Sequence, residues 1–104
     1  MVEQVKSVAE FDAVLSSNKS VFVDFFATWC GPCKMVGPLV EKISEEETDI
    51  KFVKVDVDQV GELAQRYGIM SIPALMVFRD GEKVDGIVGF VPESRLKELA
   101  AKAR

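Results

Sequence analysis

Apolar residues recur along this chain with two spacings, and the points where one gives way to the other mark out its elements. Val8, Phe11, Val14 and Leu15 keep helical spacing, and Ser7-Val8-Ala9-Glu10 has the S-x-x-E form that satisfies the free N–H groups of a first turn. A helix is expected over 8–16. Residues 21–27 are apolar on both alternating faces except at Asp24, as suits a central strand covered on both sides. A second helix is expected over 33–46, with Val36, Leu39, Val40 and Ile43 on its inner face and a kink at Pro38. Residues 2–5 suit a short edge strand, and 51–57 a strand packed through Phe52, Val53, Val55 and Val57. Asp58 is the expected N-cap of a helix carrying Val60, Leu63, Ala64 and Tyr67, which Gly68 ends. Residues 74–78 and 82–89 read as antiparallel strands joined at Asp80-Gly81, a strong hairpin turn. Pro92 opens a last helix with Leu96, Leu99, Ala100 and Ala103 on one face. The order β-α-β-α-β-α-β-β-α implies right-handed parallel crossovers early and a hairpin late, hence an α/β fold with a mixed sheet covered on both faces.

Composition narrows what such a chain does. Its 104 residues make one domain, 1–104, able to bury a core without staples or metals. With 48% hydrophobic and 29% charged residues it is globular rather than disordered. Thirteen basic against 17 acidic residues give a net charge of −4, and the basic ones are scattered, which argues against nucleic-acid binding. No apolar stretch is long enough to span a membrane, and Met1-Val2-Glu3-Gln4 does not begin a signal peptide. A soluble cytoplasmic protein is expected, a monomer that needs no partner to fold.

Both cysteines fall in Trp29-Cys30-Gly31-Pro32-Cys33-Lys34, between the apolar strand run and the second helix. Two cysteines without a secretory signal suggest a catalytic pair or a metal site rather than a disulfide framework. Tetrahedral zinc needs four ligands, and there is no histidine and no third cysteine. As a staple, so short a loop would remove only about 2 kcal/mol of unfolded-state entropy. Redox chemistry fits better. Cys30 would sit at a helix N-terminus, where unpaired N–H groups and the helix dipole favour a thiolate, and Cys33 one turn inside would resolve the mixed disulfide. Gly31-Pro32 supplies one N–H fewer and no imidazolium, so the reduced form is less stabilised and the couple more reducing. Asp24, alone in its apolar strand, is either a tolerated buried acid paired with Lys54 or the proton acceptor that helps Cys33 become a thiolate. The acceptor role is preferred, with Lys54 as modulator and a pKa raised by burial. The bland alternative for Trp29 is a core aromatic, but its place between strand end and helix start favours partial exposure beside a groove.

Taken together, the Trp29–Lys34 motif, Asp24 in the preceding strand and the later Ile72-Pro73 resemble the thioredoxin family over nearly the whole chain. The resemblance implies a three-layer α/β/α thioredoxin fold, with a central five-stranded mixed sheet flanked by four helices. It also implies a general protein-disulfide reductase without bound cofactor or metal, recharged by thioredoxin reductase, a flavoenzyme. Cys30 then attacks and Cys33 resolves. Ile72-Pro73 is then a cis peptide facing the cysteines, its backbone pairing with an extended substrate segment. Trp29, Gly31, Pro32, Ile72, Pro73 and Gly89 line the groove. Phe26 stands where many members carry tryptophan, and Phe90 where small residues are common. Two rival functions remain: a docking module using the same groove with incidental cysteines, and a disulfide oxidant or isomerase of the same fold.

Overall fold

The computed structural model describes residues 1–104. Its elements are β1 (Glu3–Val5), α1 (Val8–Ser17), β2 (Ser20–Phe26), α2 (Gly31–Glu46), β3 (Lys51–Asp56), α3 (Gly61–Arg66), β4 (Ala74–Arg79), β5 (Glu82–Val88) and α4 (Glu93–Ala101). That is the order read from the hydrophobic pattern. The sheet runs β1-β3-β2-β4-β5, with β1, β3 and β2 parallel, β4 antiparallel to β2 and β5 antiparallel to β4. It is therefore the expected five-stranded mixed sheet with four helices.

β2 lies at the centre, and every residue in it but Phe26 is buried. Side chains alternate across a strand, so its residues divide between two cores. Val21, Val23 and Phe25 join Val53 and Val55 against Phe11 of α1 and Leu63 of α3. Phe22 joins Phe52, Leu75 and Val77 against Val36, Val40 and Ile43 of α2 and Leu96 and Leu99 of α4. The helices thus cover both faces in pairs. On the first face Phe11 meets the rings of Phe25, Tyr67 and Phe78 at centroid separations of 6.5, 5.9 and 5.9 Å.

Local chemistry sets the ends. Ser7 Oγ accepts the Glu10 N–H at 3.1 Å, which caps α1 as its sequence predicts. Asp80 and Gly81 take φ of 53° and 84°, the left-handed pair a tight two-residue hairpin needs. Pro38 lies within α2, which continues through it from Gly31 to Glu46. Two expected boundaries move. α2 starts at Gly31 rather than 33, because Cys30 itself serves as N-cap. α3 starts at Gly61, and Asp58 does not cap it. The Gln59 and Val60 N–H groups donate to the Asp56 carbonyl at 3.1 and 2.9 Å, which closes a turn first. Asp58 is left free to point elsewhere.

Candidate active site

The strand that carries Asp24 also delivers the cysteines. Beyond Phe26 the chain turns so that the Cys30 N–H donates to the Ala27 carbonyl at 3.2 Å, and Cys30 becomes the residue from which α2 begins. Its Sγ accepts the Cys33 N–H at 3.2 Å, so a sulfur occupies the place of a capping oxygen. Pro32 in this first turn loses no hydrogen bond by lacking an N–H. Cys30 and Cys33 are joined as a disulfide, with Cα atoms 5.3 Å apart. Both are nearly covered, and Ala27 and Ile72 pack beside them.

The residues read as a groove converge around this pair. The Ile72 carbonyl oxygen lies 3.8 Å from Cys30 Sγ. Ile72-Pro73 is a cis peptide bond, and the buried Pro73 accepts the Gly89 N–H at its carbonyl at 2.8 Å. Gly89 has φ of 94°, a backbone conformation that suits only glycine well. Gly31 and Pro32 are exposed on the helix side, and Trp29 is 69% exposed. The indole of Trp29 stands in place through its Nε1–H, which donates to Asp58 Oδ2 at 2.8 Å.

Behind the disulfide the packing opens. Asp24 is 4% exposed and its Oδ1 has no hydrogen-bond partner. A cavity of about 300 Å³ is lined by Asp24, Phe26, Ala27, Cys33 and Lys54, so the acid and the inner cysteine share one space. Burial pushes the Asp24 carboxyl up to about 7, and the positive charge of Lys54 draws it back only in part. Asp24 and Lys54 are register partners on β2 and β3, yet they do not form the direct pair considered from the sequence. Lys54 Nζ sits 5.6 Å above the centre of the Phe26 ring and leaves the Asp24 oxygen unpaired. Phe26, at the position where tryptophan is common, thus holds a cation rather than donating a hydrogen bond.

Chemically, the arrangement can hold a thiolate at Cys30, close or open a disulfide with Cys33, and take up one proton next to Cys33. Sequence reasoning missed Asp56 and Asp58. No local pattern marked them: the pairing of Asp56 with Phe26, the residue at which β2 heads toward the cysteines, exists only once β2 and β3 lie side by side.

The family model described as Thioredoxin matches residues 2–102. The chain is 48% identical to the thioredoxin of Mycoplasmoides gallisepticum over 98 residues, which covers 94% of this chain and 98% of that one. It superposes on the thioredoxin structure of Plasmodium falciparum with a TM-score of 0.93 at 45% identity, covering 99% of this chain and 100% of that chain. A third match, TM-score 0.88 and 30% identity over 96% of this chain and 94% of the other, comes from work on how a yeast mitochondrial peroxiredoxin is resolved by glutathione/thioredoxin systems.

Proposed function

The chain belongs to the thioredoxin family, and from that premise we propose how its residues divide the work of disulfide exchange. It is a protein-disulfide reductase: its Cys30-Cys33 dithiol is oxidised as a disulfide in a target protein is reduced. In the first step the Cys30 thiolate attacks one sulfur of the target disulfide, forms a mixed disulfide and releases the other target sulfur as a thiolate. In the second, Cys33 as thiolate attacks Cys30 Sγ, closes the internal disulfide and releases the remaining target sulfur. Two electrons pass to the target, and the two released thiolates take up two protons.

The observation that carries this reading is the pair of environments around the sulfurs. Cys30 Sγ sits on the first turn of α2 and accepts the Cys33 N–H, a place that lowers a thiol pKa. Cys33 faces the cavity that also holds the unpaired Asp24 oxygen. A carboxyl with a pKa near 7 accepts the Cys33 proton and returns it at neutral pH with little free-energy change. Lys54 tunes that acid through its charge. Ile72-Pro73 and Gly89, tied together by the bond between the Gly89 N–H and the Pro73 carbonyl, offer a backbone edge for the target segment beside Cys30. Trp29, Gly31 and Pro32 complete the groove.

The reading extends to a single domain over 1–104, supported by the family match over 2–102. It extends also to a cytoplasmic monomer recharged by a thioredoxin reductase, as the family resemblance implies. No helix is long and apolar enough to cross a membrane. Peroxiredoxin-type thiol partners are among the target classes, as the yeast mitochondrial structure suggests for its own thioredoxin system.

The test is a redox titration of the Cys30-Cys33 pair against glutathione, followed by Trp29 fluorescence, with insulin reduction in the same samples. A couple more reducing than glutathione with rapid insulin reduction is expected. An oxidising couple would move the protein among oxidants and isomerases. Cys33→Ser should trap a mixed disulfide with target protein, whereas Cys30→Ser should trap none; the opposite pattern would reverse the assignment of attacking and resolving sulfurs.

A further inference from the structure

Resting on the disulfide-exchange reading above, we propose that the buried Asp24 carboxyl has a second route to solvent, along which a proton taken from Cys33 leaves past Gly37 to Glu41. The proton can then be shed while a target still covers Cys30. Next to the cavity that Asp24 shares with Cys33 lies another of about 270 Å³, whose walls include Val2, Asp24, Gly37, Glu41 and Lys54. Asp24, Gly37 and Lys54 line both, so the two spaces meet at the carboxyl. None of the groove residues around Cys30 lines either space. Each has room for a short chain of water, whose share of the liquid is about 30 Å³ per molecule, and polar side chains to hold it. With Asp24 only 4% exposed and its Oδ1 without a protein partner, water in these spaces is its medium for proton transfer.

Charge decides between the two ways out. The space on the cysteine side is faced by two ammonium groups, Lys34 and Lys54. The second is faced by Lys54 and by the Glu41 carboxylate. An excess proton is repelled twice in the first, and in the second it is drawn toward an acceptor. Glu41 is placed to pass it on. Both its oxygens accept the Val2 N–H at 3.3 Å, just ahead of β1, and its side chain is 45% exposed, so one carboxyl touches the cavity and bulk water together. Gly37 keeps the way clear. A glycine inside a helix costs about 1 kcal/mol relative to alanine. At Gly37 an added Cβ would meet nothing within 4 Å beyond its own stretch of α2, so outside crowding does not require the glycine there. Its place in the walls of both cavities supplies the reason, because a long side chain would fill the throat between them.

The experiment follows proton exchange on the Asp24 carboxyl itself, by relaxation dispersion of its carboxyl carbon near neutral pH in the oxidised protein. Glu41→Gln keeps an acceptor for the Val2 N–H but loses the proton site. Exchange should slow about 10-fold, short of the ~100-fold or more that a direct general acid or base supplies, because water still reaches the cavity. Gly37→Leu should slow it at least as much, and Gly37→Ala hardly at all. In Cys33→Ser with a peptide held on Cys30 as a mixed disulfide, exchange should stay as fast as without the peptide. Strong slowing by the peptide would put the exit on the target side and overturn the proposal. So would unchanged exchange in Glu41→Gln, or a shifted Asp24 midpoint without slower exchange, which would leave Glu41 a mere charge. Gly37→Ala as slow as Gly37→Leu would mean that the glycine serves Pro38, whose ring crowds a preceding Cβ, and would overturn the throat. Should Gly37→Leu not fold, Glu41→Gln and the peptide decide. The disulfide-exchange reading fails separately, if the wild type reduces no insulin whatever its Asp24 exchange rate.

Discussion

β2 and β3 build both faces of the sheet from alternate residues, yet the two faces end differently. Toward α1 and α3 the apolar packing runs to the ends of the strands, through Val23, Phe25, Val53 and Val55 to the rings of Phe11 and Phe78. Toward α2 and α4 it stops at Phe22 and Phe52, and the next positions along the strands are Asp24 and Lys54 beside an open cavity. One face is finished as a core. The other gives up packing and charge neutrality where the cysteines arrive, and holds there a buried carboxyl without a hydrogen-bond partner, its pKa raised by burial. Stability and reactivity are thus separated by the pleat of the same two strands.

Mutations on the two faces should therefore have opposite signs. The largest stability effect belongs to the closed face: Phe11→Ala removes a fully buried ring and should cost about 3–5 kcal/mol in urea unfolding. The redox potential of the cysteine pair should not change. A shifted potential would show that the faces are coupled.

Asp24→Asn should act the other way. The Asp24 carboxyl has a folded pKa of about 7 against an ordinary value of 3.8, so between those limits the folded chain keeps a proton that the unfolded chain has released. Stability therefore falls as pH rises from about 4 to 7 and levels off above. Removing the charge should stabilise the protein by roughly 2–4 kcal/mol at pH 9, where the burial penalty is fully present, and hardly at pH 3, where both states are protonated. The resolving step should slow on the order of 100-fold as its proton acceptor is lost. Unfolding curves at pH 3 and 9 with single-turnover release from a mixed disulfide check both; equal stabilisation at the two pH values would sink the assignment.

Lys54→Met should have the smallest effect. Without the lysine's field the Asp24 carboxyl titrates above about 7, and the pH at which resolution quickens moves up with it. Stability should be unchanged at pH 3, where the carboxyl is protonated, and should fall at pH 9 by about 1.4 kcal/mol for each pH unit by which the Asp24 carboxyl titrates higher. Because Lys54 rests on Phe26 rather than on Asp24, a loss of several kcal/mol at pH 9 would instead point to a direct ion pair.

Much of this plan was legible in the chain. The run around Asp24 is apolar on both faces and so had to be central, as β2 is. Asp80-Gly81 marked the hairpin because few other pairs accept two positive φ values, and Ser7 marked the start of α1 through its own hydroxyl. The boundaries that moved did so through bonds that residue type does not announce: a cysteine sulfur caps α2, and the turn closed on the Asp56 carbonyl precedes α3. Asp58 looked like a cap from its neighbours alone, but Asp56 takes its N–H and Trp29 claims its carboxylate. Asp24 and Lys54 could be placed on neighbouring strands, but the ring of Phe26 decides where the ammonium rests.

The sequence by itself determined the order of elements, the central strand, the cysteine pair at a helix start and the presence of an acid behind it. These rest on local propensity and on periods of two and 3.6 residues, which a short window of residues contains. Tertiary structure alone decided that Asp24 faces a shared cavity without a partner, that the Ile72 carbonyl lies beside Cys30 while Gly89 bonds Pro73, and that the Trp29 indole bonds Asp58. Each of those facts joins residues far apart along the chain, and the separation between them is set by how the sheet and helices pack rather than by any neighbour in sequence.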